Sequence, residues 1–205
     1  MPNWCYNNAT FSHEDSKEIQ RLAKAYNEGK FFNEFVPMPP ELLEEAPTGD
    51  GWQERQAEIT KRNAEQFGYS SWYDWAVSNW GTKWEPDTDG MDNVEVAEGD
   101  TSVDLSFDTA WAPPIEFYRE MSDMGFTITA YYNEEGMAFC GKYTTEDDDE
   151  VYEYGDMSAD EIRENVPSDI DEAFGISDLI ADMADEEDIF DMDDAEDSDH
   201  EVESE

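Results

Sequence analysis

Residues 103–130 read VDLSFDTAWAPPIEFYREMSDMGFTITA. Val103, Leu105 and Phe107 alternate with polar residues, the period of a half-buried strand. Pro113 and Pro114 suit a first helical turn, where a missing N–H costs nothing. Ile115, Tyr118 and Met121 then fall on one helical face and Gly125 stops the helix. Phe126, Ile128 and Ala130 alternate again. The stretch is a strand–helix–strand unit around which the rest of the chain is placed.

Just upstream, Val94 and Val96 alternate and Gly99-Asp100 can turn, which predicts a hairpin with 103–107. Downstream, Glu135-Gly136 turns the chain and Met137 to Tyr143 returns. At the start, Trp4 to Phe11 reads as a strand. Ser12 with Asp15 forms an imperfect capping box before Ile19, Leu22, Ala23 and Tyr26, and Gly29 ends that helix. Between these halves, Phe31 to Pro40 is apolar but proline-broken, which predicts a buried irregular segment. Glu54 to Gln66 is a charged helix, and Ser71 with Asp74 caps a short one carrying Trp72, Trp75 and Ala76. The order β–α–(helical insert, about 31–85)–β–β–α–β–β predicts an α+β domain over 1–143. Its form is a split β–α–β arrangement, an antiparallel sheet with helices on one face.

Charge sets the second division. The chain has 205 residues, 55 Asp and Glu against 11 Lys and Arg, and a formal net charge of −44. Residues 144–205 hold 28 acidic residues and one basic residue, Arg163, whereas all seven tryptophans lie between Trp4 and Trp111. A segment so acidic is expected to be largely disordered, because it buries too little apolar area to offset its ordering entropy. The charge repels nucleic-acid phosphates and anionic lipid, so neither direct nucleic-acid binding nor membrane binding is expected, and any steered partner is basic. Cys5 and Cys140 are too few for a disulfide framework and read as small core residues of a reduced protein. The segment MPNWCYNN has neither the basic nor the apolar part of a signal peptide, and a cytoplasmic protein is the expectation.

Five ordered blocks carry a resemblance: MPNWCYN at 1–7, FVPMPPEL at 35–42, NWGTKW at 79–84, FDTAWAPP at 107–114 and GMAFCGKY at 136–143. Over Met1 to about Tyr143 the chain resembles the YubB-like family of phage- and plasmid-borne proteins. The resemblance implies a ferredoxin-like fold without an iron–sulfur cluster, and a mobile-element origin. It implies no known activity, and the acidic segment lies beyond it.

The densest cluster of chemistry-bearing residues is Asn79-Trp80-Gly81-Thr82-Lys83-Trp84. Trp80, Lys83 and Trp84, with Trp111, either form a stacking platform for a small molecule or nucleotide, or pack the insert onto the sheet. Asp108 and Thr109, where a strand ends, either bind a ligand or cap the following helix, and the cap is preferred. No catalytic residue is identified: His13 stands alone in the domain, and no nucleophile elbow or phosphate loop occurs. No cofactor or metal site is expected. Asp87-Thr88-Asp89-Gly90-Met91-Asp92 places its glycine too early for a calcium loop, leaving a solvated turn.

In the acidic segment, Ile176, Leu179, Ile180 and Met183 recur at helical spacing over 176–183 with Asp178 and Asp182 among them, and Ile189, Phe190 and Met192 follow. Such a helix can dock in a partner's groove or fold back on its own chain. The leading expectation is a non-enzymatic accessory protein that engages a basic protein through this segment. In net charge it matches about 75 Å of duplex DNA, the basis for a DNA-mimic reading.

Overall fold

The computed structural model describes residues 3–86, 88 and 91–184. The chain divides into two units, Met1–Val151 and Tyr152–Glu205.

In the first unit, strand β1 (Trp4–Ser12) turns Cys5, Asn7, Ala9 and Phe11 inward and Tyr6 and Asn8 outward, as its two-residue period dictates. Helix α1 (Ser16–Asn27) follows, then α2 (Phe31–Phe35), a 3₁₀ turn (Pro40–Leu43), α3 (Trp52–Phe67) and α4 (Trp72–Asn79). Strand β2 (Ser102–Ala110), α5 (Ile115–Asp123), β3 (Thr127–Glu134), β4 (Phe139–Thr144) and β5 (Asp148–Glu153) complete the order. The sheet runs β2-β1-β3-β4-β5. Both β2 and β3 lie antiparallel to β1, with Phe107 and Tyr132 opposite Asn7. They are therefore parallel to each other, joined by α5, with β1 between them. That is the split β–α–β unit expected from residues 103–130, and the fold is ferredoxin-like α+β.

One face of the sheet carries the core. Ile19, Leu22 and Tyr26 of α1, Phe117, Tyr118 and Met121 of α5, and Phe31, Phe32 and Phe35 of α2 pack with Phe11, Leu105, Phe107 and Ile128. Phe31 meets Phe11, Phe107 and Phe117 edge-on at 5.0–5.7 Å. Such pairs add about 0.5–1.5 kcal/mol beyond area burial. Asn7 is buried on the same face and is satisfied there: its amide donates to the Cys5 carbonyl (2.8 Å) and Thr109 Oγ1 (2.9 Å). Cys5 and Cys140 form no disulfide and are fully buried, and burial pushes the Cys5 thiol far up. No helix among the described residues is long and apolar enough to cross a membrane.

Four expectations need correction. The hairpin at 94–107 does not form: residues 94–96 are not a strand, and β2 pairs with β1 alone. The side-chain amide of Asn27 takes both backbone groups of Val94, donating to its carbonyl (2.8 Å) and accepting from its N–H (2.9 Å), so those groups are not free for a ladder. The sheet instead grows at its other edge through β4 and β5. Helix α1 is capped by Asp15, which accepts from the Lys17 N–H, and not by Ser12, which is the last residue of β1. FFNEF is a short helix, because Glu85 accepts the N–H groups of Phe32 (2.8 Å) and Asn33 (2.7 Å) at its first turn.

The fourth correction concerns the acidic segment. The sheet passes the expected boundary at 143, and 144–184 is not disordered. In the second unit, α6 (Ala159–Asn165) begins with a capping box between Ser158 and Glu161, a signal that S-x-x-E already carried. Pro167 precedes α7 (Ser168–Phe174), Gly175 ends it in the left-handed region, and residues 176–184 are helical again. Tyr154, Ile162, Val166, Ile170 and Ile176 are buried. Averaged composition hid these five apolar residues among the carboxylates. Residues 185–205, including Ile189, Phe190 and Met192, lie outside the described residues, as do Asp87, Asp89 and Gly90 of the acidic turn.

Candidate functional site

Helix α4 is capped by Ser71, whose hydroxyl accepts the Asp74 N–H, and it turns Trp75 and Ala76 into the core. Its C-cap, Trp80, follows them inward. Trp80 is 2% exposed, packs edge-on against Trp75 at 5.3 Å, and donates its indole N–H to the Val36 carbonyl at 2.9 Å. Trp80 is therefore core, and the stacking-platform reading fails for it because its polar edge and both faces are engaged.

After Trp80 the chain reverses at Gly81 (φ 84°), where a Cβ would run into the backbone at the start of α5. Thr82 is buried and donates to the Ala110 carbonyl at 2.9 Å, and the Phe117 N–H reaches the Trp80 carbonyl. Glu85, at the other end of the loop, is held by the Phe32 and Asn33 amides. Burial raises its carboxyl above the ordinary glutamate range, against the pull of those donors. The short segment 81–85 is thus pinned at both ends, and Lys83 and Trp84 project from it.

Trp111 arrives from the β2–α5 connection. It sits at φ 66°, a conformation that costs a residue with a Cβ about 1–2 kcal/mol. Its N–H donates to the Asn3 carbonyl at 2.9 Å, which holds it there. Trp84 and Trp111 are 39% and 44% exposed, with ring centroids 6.4 Å apart and planes inclined by 31°. The Lys83 ammonium lies 4.0 Å from the Trp84 centroid and 4.8 Å from that of Trp111. The rings of Tyr73 (5.9 Å) and Trp72 (6.0 Å) close around the same nitrogen.

The structure therefore brings together Lys83, Trp84 and Trp111 of the expected cluster and leaves out Trp80 and Asp108. Asp108 belongs to the outward-facing set of β2, opposite in parity to Phe107 and Thr109. The preferred cap is also absent. Helix α5 starts after Pro114 with no side-chain cap, while Thr109 is buried, accepts from Asn7 and donates to the Ala112 carbonyl at 2.8 Å. Trp72 and Tyr73 were missed as partners of Lys83. Trp72 lies three and four residues before Trp75 and Ala76 and packs half-buried against the same core, while Tyr73 points away from it, and only the tertiary structure brings both rings to Lys83.

A second hollow, of about 560 Å³, is lined by Ser12, His13, Glu14, Thr101, Gly125 and Thr127. There His13 Nδ1 accepts the Asp15 N–H at 3.0 Å and its ring rests on Phe126, so it serves the entry to α1.

In the second unit, Ile176 is buried and Ile180 half-buried, whereas Leu179 and Met183 are 48% and 56% exposed one helical turn apart. Asp171 holds the start of this helix by accepting from the Ser177 N–H and hydroxyl, both at 2.7 Å. Asp178 pairs with Arg163 at 3.0 Å, and Asp182 is exposed.

The family described as "Ferredoxin-like domain in Api92-like protein" matches residues 79–203. The match includes the acidic segment that the sequence resemblance had left outside. The solved structure of a protein api92 from Yersinia pseudotuberculosis is 14% identical and covers 76% of this chain and 99% of that one, with a TM-score of 0.35. No curated protein matches the chain.

Proposed function

This chain belongs to the Api92-like family and carries its ferredoxin-like domain, and on that scaffold we propose a non-enzymatic binding protein. Its partner is a basic protein, reached by electrostatic steering and held by the helix at 176–184. The observation that carries this reading is the pair Leu179 and Met183, two large apolar side chains left exposed one turn apart beside Asp178 and Asp182. Helix-in-groove recognition uses anchors of this spacing, and the chain's net charge of −44 favours a basic partner. Ile176, being buried, supports the helix and is not an anchor.

The proposal extends to a phage or plasmid origin and action in the host cytoplasm, a reading that the YubB-like resemblance supports. A host DNA-binding protein, inhibited by a surface that mimics DNA in charge, is then a natural target. A host nuclease or restriction complex fits that description.

Truncation is the wrong test, since cutting at 143 would remove β5, α6 and α7. Leu179→Ser with Met183→Ser keeps every charge and removes both anchors. Full-length protein and this variant are compared in capture from host lysate, with elution in salt steps. The expected result is a basic protein held by the parent, absent from the variant, and released at moderate salt. Equal capture by both would reject the anchors. Retention at about 1 M salt, where the Debye length is about 3 Å, would reject the electrostatic part.

A further inference from the structure

We propose that Trp72, Tyr73, Trp84 and Trp111 form an aromatic cage for an alkylated ammonium group, with the Lys83 side chain as its occupant in the free protein. This goes beyond the partner reading and does not depend on it, because the cage and the helix at 176–184 share no residue.

The geometry is that of cation recognition. A single ammonium lies within about 6 Å of four ring centroids, the range over which ring quadrupoles attract a cation. The rings come from three separated segments, and each is fixed independently. Ser71 caps the helix carrying Trp72 and Tyr73, Thr82 and Glu85 pin the loop carrying Trp84, and the Asn3 carbonyl holds Trp111. Trp111 keeps a left-handed backbone that a bulky side chain seldom adopts, and such strain persists where the surroundings enforce it. Two indoles more than a third exposed contribute less to the core than Trp75 or Trp80, so their placement is better explained by what they face.

Lys83 is a replaceable occupant. Its charge sits on a flexible four-carbon stem that can swing away without backbone movement, and a primary ammonium is strongly hydrated, so it gains less from the ring faces, which are weak acceptors, than a quaternary ammonium does. A quaternary ammonium has no N–H donors to satisfy, and its methyl groups meet the ring faces directly. The chemical class is therefore a trimethylammonium group, either on a free small molecule or on a trimethylated lysine side chain.

The test uses the full chain with choline, a short trimethyllysine peptide, the same peptide unmethylated, and adenosine, each titrated by calorimetry and by the indole N–H resonances. Lys83→Ala should bind a trimethylammonium probe about tenfold more tightly than the parent, having lost the competing occupant. Trp84→Ala or Tyr73→Ala in the Lys83→Ala background should lower that affinity at least about tenfold. The two residues are 39% and 41% exposed, and an unchanged thermal midpoint confirms that the fold survives. Preference for choline assigns a small-molecule source, and preference for the trimethylated over the unmethylated peptide assigns a protein source. No gain on Lys83→Ala, no loss on Trp84→Ala, or tighter binding of adenosine than of either quaternary probe would overturn the cage.

Discussion

Gly81→Ala is the sharpest probe of how the 81–85 loop is held. Two costs act there. The backbone stands at φ 84°, where an added Cβ costs about 1–2 kcal/mol. That Cβ would also lie 2.9 Å from the Ile115 nitrogen and 3.2 Å from both the Glu116 nitrogen and the Pro113 carbonyl oxygen. All three are backbone atoms at the start of α5, so no flexible side chain can yield, and overpacking of this kind costs about 1–3 kcal/mol. Together the substitution should destabilise by about 2–5 kcal/mol. Gly29→Ala is the control. Gly29 also sits in the left-handed region, at φ 65°, but a Cβ there meets nothing within 4 Å. Both substitutions stiffen the unfolded chain alike, so that contribution cancels in the difference. Urea unfolding followed by far-UV circular dichroism should show Gly81→Ala losing about 1–3 kcal/mol more than Gly29→Ala. Tryptophan emission should change for Gly81→Ala alone, because relief of the clash moves Trp84 relative to Trp111. Equal losses for the two variants would refute the argument that the loop is locked by backbone contact with α5.

Trp80 and Trp84, four residues apart, should respond in opposite ways. Trp80→Ala empties a core site and should cost about 3–5 kcal/mol, while Trp84→Ala should cost less than about 1 kcal/mol; comparable values by urea melts would mean that the core assignment of Trp80 is wrong. Glu85 makes a pH prediction. Its folded-state pKa is raised by burial, so the stability it contributes is fully present below the ordinary glutamate value of about 4.3 and is lost as pH rises through the folded value. Glu85→Gln, uncharged throughout, should therefore gain stability relative to the parent as pH rises across that window. A relative loss in melts over the same range would show that the Phe32 and Asn33 donors outweigh burial.

Much of the fold was legible because it rests on period. The alternation of Val103, Leu105 and Phe107, the helical spacing of Ile115, Tyr118 and Met121, and the Ser71 cap are local signals, and each produced the expected element. Val94 and Val96 also alternate, yet form no strand, because a single amide from Asn27, 67 residues away, takes the Val94 backbone. The candidate site was legible only in part. NWGTKW marked the loop, but which indole faces the core depends on the Gly81 reversal and on what lies beneath it.

From sequence alone came the split β–α–β unit, the charge excess of 144–205 and the likeness to a family. These follow from residue spacing and composition, which survive any tertiary arrangement. Tertiary structure alone decided that Trp80 is core, that Trp72 and Tyr73 join Trp84 and Trp111 around Lys83, and that residues 144–184 of the acidic segment carry a strand and helices. The physical reason is common to all three. Burial is a property of what long-range contacts cover, and neither the hydropathy of an indole nor the mean charge of a segment states which side chains the rest of the chain will cover.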